Sequence, residues 1–156
     1  VEAWAGSKET FTGQVVGVTD GDSIKVLRDG KAENIRLSGI DCPEKKQPFG
    51  TRAKQFTSQQ VFGKKVTVRE AGRDRYGRTV AEVILPDGRN LNHELLKAGM
   101  AWWFRKYSKD TVLGDLEAEA RTEQRGLWVD PHPVPPWEWR SKTKRKKPSI
   151  TGRLSP

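Results

Sequence analysis

Cysteine is almost missing from this chain. Cys42 stands alone among 156 residues, which excludes an intramolecular disulfide and a cysteine cage for zinc. Histidine is nearly as scarce: His93 and His132 lie 39 residues apart, poor material for a metalloprotease site. No run of 18 apolar residues occurs, so nothing reads as an integral membrane segment. Apolar residues reach only 34%, enough for a small core that leaves part of the chain outside it. Acidic residues are missing from the C-terminal end, since all 20 precede Arg140. Residues 1–139 set 22 Lys and Arg against those 20, a net of +2, and residues 140–156 supply the other +7 of the total of +9. A nearly balanced domain is therefore followed by a cationic tail. Read alone, such a tail is a solvated end; as a functional part it favours a polyanion, either nucleic acid or an anionic membrane surface.

What is present is organised in three parts: an N-terminal extension over 1–10, a domain over 11–128, and a Pro/Trp-rich segment with the basic tail over 129–156. In the domain, Val15, Val16 and Val18 are β-branched, Ile24 and Val26 alternate with polar residues, and Asp29-Gly30 is a hairpin signal before Ile35 and Leu37. This predicts three consecutive antiparallel strands over 11–19, 22–28 and 31–38. Pro43 and Pro48 mark a loop. Ala53, Phe56 and Gln60 share a helical face over 51–62, with Gly63 as its stop. Val66 and Val68 give a fourth strand, and Thr79 to Leu85 a fifth. Leu91, Leu95 and Ala98 predict a short helix ended by Gly99; Leu113, Leu116 and Ala120 predict a third, ended near Gly126. Beyond Trp128 four prolines crowd 130–137, and no helix or strand pattern survives. The large apolar area of Trp128, Trp137 and Trp139 gives them reason to fold back onto the domain. The order of elements predicts an all-β core with helices (α+β), a five-stranded barrel of the OB type with three α-helices.

Carboxylates concentrate in the loops of this plan. Asp20-Gly21-Asp22 joins the first two strands, and Asp41-Cys42-Pro43-Glu44 follows the third. The end of the third strand lies beside the start of the second in a meander, so Asp41 can approach Asp22. Hard oxygen donors without Cys or His favour Ca²⁺ or Mg²⁺; read alone, Asp-Gly-Asp is more often a polar turn. Arg36 and Arg78 sit at patterned positions, where a guanidinium suits either a phosphate or a neighbouring carboxylate. Together, carboxylates for a hard cation, one spare carboxylate and two arginines make a kit for phosphodiester hydrolysis.

Five blocks in order resemble the staphylococcal nuclease family: Val18-Thr19-Asp20-Gly21-Asp22-Ser23, Ile35 to Glu44, Asp74-Arg75-Tyr76-Gly77-Arg78, Asn92 to Ala101, and Gln124 to Trp128. The resemblance implies an OB-fold barrel and a Ca²⁺-dependent endonuclease acting on DNA and RNA, leaving 3′-phosphate and 5′-hydroxyl ends. It implies that Asp22 and Asp41 bind the ion, with Cys42 in the place of a threonine whose backbone carbonyl binds it. Glu44 matches the general-base or water-positioning glutamate, and Arg36 and Arg78 the two phosphate-clamping arginines. Arg75 and Tyr76 match positions near the nucleotide phosphates, and Tyr107 an aromatic near the base. Asp20 belongs to the same carboxylate group. Ser23 replaces the usual threonine, and the loop from Lys45 to Gly50 is shorter than in the founding member.

Trp102, Trp103 and Phe104 suit either base stacking or core packing. The rival function is a catalytically silent OB module binding single-stranded nucleic acid, a reading that the complete charged set argues against. A monomer is expected. Ala3-Trp4-Ala5 has the small-x-small form of a signal-peptidase site, which points to a secreted or periplasmic protein whose signal peptide is not in this chain.

Overall fold

The structure is a computed structural model, and it describes residues 9–143. The Ala3-Trp4-Ala5 pattern and the basic run at 144–147 lie outside the described residues. Five strands close a barrel: β1 (Thr10–Asp20), β2 (Ser23–Arg28), β3 (Lys31–Leu37), β5 (Lys65–Arg73) and β6 (Thr79–Ile84), in the order β1-β2-β3-β6-β5. The long β1 serves two neighbours. Its first half pairs with β5 from Thr10 to Gln14 and its second with β2 from Val15 to Asp20. Register shifts at Val15/Gly17 and Val18/Asp20 bend it between the two, as closure of a small barrel requires. Asp29 and Gly30 both take positive φ between β2 and β3, the two-residue primed turn that their sequence signals. The barrel is completed by β3 and β6 in parallel, with Arg36 opposite Val80.

Alternation sorts the side chains. Val15, Ile24, Val26, Ile35, Leu37, Val66, Val68, Ala81 and Val83 are all buried in one apolar cluster. Arg36, between Ile35 and Leu37, is turned to the other face of β3.

The three expected helices are α1 (Gly50–Val61), α2 (Leu91–Lys97) and α3 (Thr111–Thr122). The fully buried face of α1 is Gly50, Ala53, Thr57 and Val61; Phe56 is partly buried and packs against the same core, while Gln60 lies to the side. Thr57 is drawn inward because its hydroxyl donates to the Gly21 carbonyl. The α2 helix is capped by Asn90, whose side chain accepts from the His93 N–H, and α3 by Asp110. Asn92 is fully buried under the barrel rim. Its Oδ1 accepts from Val83 N at 3.2 Å, and its Nδ2 donates to the carbonyls of Ser38 at 2.9 Å and Ala81 at 3.2 Å.

Two features go beyond the expected plan. A two-residue strand β4 (Ile40–Asp41) pairs with β7 (Trp102–Trp103), and a fourth α-helix, α4, runs over 136–143. The segment after Trp128 thus carries a helix where the sequence shows no pattern. Aromatic packing holds it. Trp137 stacks on Phe104 at 5.4 Å and meets the edge of Trp102 at 5.6 Å, while Trp102 and Trp128 pack at 4.6 Å. Trp102 and Phe104 are therefore packing residues here, and Trp139 lines a shallow pocket with Trp102, Phe49 and Pro43. Among the described residues no helix is long and apolar enough to cross a membrane.

Candidate active site

The β1–β2 turn is shaped by close approach. A Cβ on Gly21 would stand 2.9 Å from Ala53 Cβ and 3.0 Å from Cys42 Sγ. Gly21 does not take a positive φ, so glycine is needed here for room rather than for turn geometry. The fit draws Asp22 onto the loop after β4, where Asp22 Oδ2 accepts from the Cys42 backbone N–H at 2.8 Å.

Arg36 ties the two aspartates together. Its Nη1 lies 3.4 Å from Asp22 Oδ2 and its Nη2 lies 3.3 Å from Asp41 Oδ1. Nη1 also donates to the carbonyls of Leu37 at 2.8 Å and Ile40 at 3.0 Å, which fixes the bend between β3 and β4. Burial opposes the charge on Arg36, but Asp22 and Asp41 outweigh it and hold its pKa above the ordinary arginine value. Asp41 is 1% exposed. Burial raises its pKa to about 6, against the pull of Arg140 and Arg36 and with help from Asp22. Asp20 is raised as well, by burial and then by Asp22 and Glu44, which sets it in the same negative field.

Glu44 is presented by a tight loop. Its N–H donates to Gln47 Oε1 at 3.0 Å and its carbonyl accepts from Gln47 N at 2.9 Å. A Cβ on Gly50 would stand 1.8 Å from the Glu44 carbonyl oxygen, so only glycine allows α1 to start this close. The short loop from Lys45 to Gly50 is thereby folded against Glu44 itself.

Arg78 reaches the cluster from the opposite side. Its Nε donates to Asp74 Oδ2 at 2.7 Å, and its Nη1 lies 3.4 Å from Ser23 Oγ, which in turn lies 3.4 Å from Asp22 Oδ1. Arg75 and Tyr76 are exposed beside it. Arg75 donates to the Tyr76 hydroxyl at 3.0 Å, and the guanidinium groups of Arg75 and Arg78 stand 5.1 and 5.6 Å from the Tyr76 ring. Tyr107 is exposed, with its ring 4.8 Å from Phe104. The Tyr76 hydroxyl raises the pKa of Arg75, and Tyr107 adds to that shift.

One residue at this mouth lies outside the sequence-derived set. Arg140, from α4, places Nη2 2.7 Å from Asp41 Oδ2 and Nη1 2.6 Å from Glu44 Oε2, with Nη1 also 3.2 Å from Asp41 Oδ1. Arg78, Ser23, Asp22, Arg36, Asp41, Arg140 and Glu44 therefore form one continuous chain of contacts. The seventeen-residue basic stretch contains nothing in its pattern to single out its first cation.

The donor set suits a hard cation. Cys42 is 2% exposed, and burial pushes its thiol pKa well up, so it stays a neutral thiol and its hard donor is the backbone carbonyl. Among the described residues no cluster of three or more His, Cys, Asp and Glu side chains is arranged around one point. Asp22 and Asp41 thus offer two side-chain ligands, and water, carbonyl and phosphate oxygens would complete a shell.

Residues 34–130 match the family model described as staphylococcal nuclease homologue. The chain is 50% identical over 128 residues to an uncharacterized endonuclease of Escherichia coli O157:H7, covering 82% of this chain and 84% of that one. It is 41% identical over 154 residues to a micrococcal nuclease of Shigella flexneri, covering 92% and 86%. It is 43% identical over 115 residues to a staphylococcal-like nuclease of Arabidopsis thaliana, covering 74% of this chain and 35% of that protein.

Proposed function

Since the chain belongs to the staphylococcal nuclease family, and is on that ground a nuclease acting on nucleic acid, we propose that it is a Ca²⁺-dependent endonuclease. In this reading it cleaves DNA and RNA to 3′-phosphate and 5′-hydroxyl ends. The observation that carries the reading is the continuous chain of contacts that joins Arg78 through Ser23 to Asp22, Arg36 and Asp41, with Glu44 tied to Asp41 by Arg140.

Asp22, Asp41 and the Cys42 carbonyl are the groups that would hold the ion, which when bound polarises a non-bridging phosphate oxygen. Glu44 orients the attacking water and accepts its proton. The water adds to phosphorus in line with the departing 5′ oxygen. Arg36 is held by backbone carbonyls on one side and carboxylates on the other, so it is already oriented when the phosphate arrives. With Arg78 it donates to the oxygens that gain charge in the five-coordinate transition state, and neither group must reorganise far to do so. Arg75, Tyr76 and Tyr107 border the path of the strand and offer a cation and two ring faces to it. We further propose that the native protein is exported to the periplasm or beyond the cell, where calcium is available to it, and that it acts as a monomer.

The test is cleavage of a fluorescent oligonucleotide with Ca²⁺, with a calcium chelator, and with Ca²⁺ restored. Cleavage that stops with chelation and returns with Ca²⁺ is the expected result. Binding of the strand without cleavage under all three conditions would leave the silent OB module as the correct reading.

A further inference from the structure

The carboxylates proposed to bind cation and water are already engaged by a cation of the chain itself. We propose that Arg140 is an internal latch that competes with the divalent ion for Asp41 and Glu44. The inference rests on the cation reading given above and adds a residue and a segment that this reading does not contain.

The geometry is specific. The Arg140 guanidinium takes both oxygens of Asp41, at 3.2 and 2.7 Å, and reaches Glu44 Oε2 at 2.6 Å with the same Nη1 that contacts Asp41 Oδ1. Forked, charge-assisted contacts of this kind are the strong ones. They cover Asp41 oxygens that a metal would need, and they occupy the carboxylate that would align water. With Arg36 and Arg140 both on Asp41 Oδ1 and Arg140 also on Oδ2, most of the roughly four lone-pair sites of this carboxylate are taken, so the ion and the Arg140 guanidinium compete for it.

Exposure decides which one moves. The Asp41 side chain is 1% exposed, whereas that of Arg140 is 39% exposed. Asp41 is fixed by β4 and by Arg36, while Arg140 can swing into solvent at little desolvation cost. The segment that carries it is docked by Trp137 against Phe104 and Trp102, by Trp139 beside Phe49 and Pro43, and by Gln47 Nε2, which donates to the Val134 carbonyl at 2.6 Å. Gln47 also holds Glu44, so the loop of the proposed base and the strap are joined through one side chain.

Binding of the ion and docking of Arg140 are then linked with negative sign, and the linkage is reciprocal. The ion loosens α4, and a docked α4 weakens the ion.

The test uses the full-length protein and Ca²⁺ alone. Calorimetric titration of the wild type, Arg140→Ala and Arg140→Gln should show Ca²⁺ bound about tenfold more tightly by both variants, within the 5- to 150-fold range usual for coupled sites. Hydrogen exchange of the wild type should show faster exchange over 136–143 on adding Ca²⁺, a readout that needs no variant. Unchanged or weaker affinity in both variants, or unchanged exchange over 136–143 in the calcium-bound wild type, overturns the latch. If either result accompanies Ca²⁺-dependent cleavage by the wild type, the nuclease reading stands without it. Absence of Ca²⁺ binding in all three proteins overturns the latch and the calcium reading together.

Discussion

At the scale of single residues, Asp41 shows the cost of a functional charge. Its pKa is raised from 3.8 to about 6, so the fold favours its protonated form. Stability from this group is full below pH 3.8 and is lost as pH rises through about 6. Asp41→Asn should therefore stabilise the protein at pH 8 by about 1–3 kcal/mol, while abolishing cleavage. Urea midpoints of both proteins measured at pH 8 and below pH 4 check this, and the gain should vanish at the lower pH. At limiting Ca²⁺, cleavage by the wild type should fall as pH drops through about 6, because protons then compete for Asp41. Arg36→Ala and Arg78→Ala should each lower kcat by about 10²–10³, the usual loss for one transition-state donor, in a steady-state assay. The geometry of Asp22, Arg36 and Asp41 is legible in the sequence because they lie beside turns that a meander must bring together. Arg140 was not legible. It lies 99 residues from Asp41, and nothing in the spacing of a basic run tells which cation will be drawn onto a buried carboxylate.

At the scale of elements, the hairpins and helices could be read because each repeats a period over several turns or pairs. The β4–β7 pair could not, since two residues on each side carry no period. The α4 helix was hidden by the prolines in front of it, although Pro136 at its first position is compatible with helix entry. The α2 helix shows how an element supports the mouth without touching it. Asn92 gathers Val83 N, the Ser38 carbonyl and the Ala81 carbonyl into one side chain. Asn92→Ala should cost about 2–3 kcal/mol by leaving a buried N–H without a partner. The urea midpoint should fall accordingly, and Asn92→Asp should fall at least as far at neutral pH, because a carboxylate oxygen in the place of Nδ2 faces the Ser38 and Ala81 carbonyls without a proton to donate.

At the scale of the whole molecule, charge is segregated. The barrel is nearly neutral, while residues 144–156 hold five cations beyond Arg140 and Lys142. Removing 144–156 should weaken binding to long DNA and flatten its salt dependence by about 0.9 in log–log slope for each cation that contacted a phosphate. Turnover of a short oligonucleotide should change little, and filter binding across a salt series separates the two effects. An unchanged slope would assign the tail to another anionic surface.

The parallel pairing of β3 with β6 also governs when the mouth can exist. Arg36 can meet Val80 only after the chain has been made as far as β6, with α1 and β5 in between, and pairings this distant in sequence slow the folding of a chain. On the ribosome, a chain that has emerged only as far as β5 holds its carboxylates without a closed barrel to aim them. The strap carrying Arg140 emerges later still. The order of synthesis therefore places every residue of the proposed catalytic cluster ahead of the C-terminal segment that covers it.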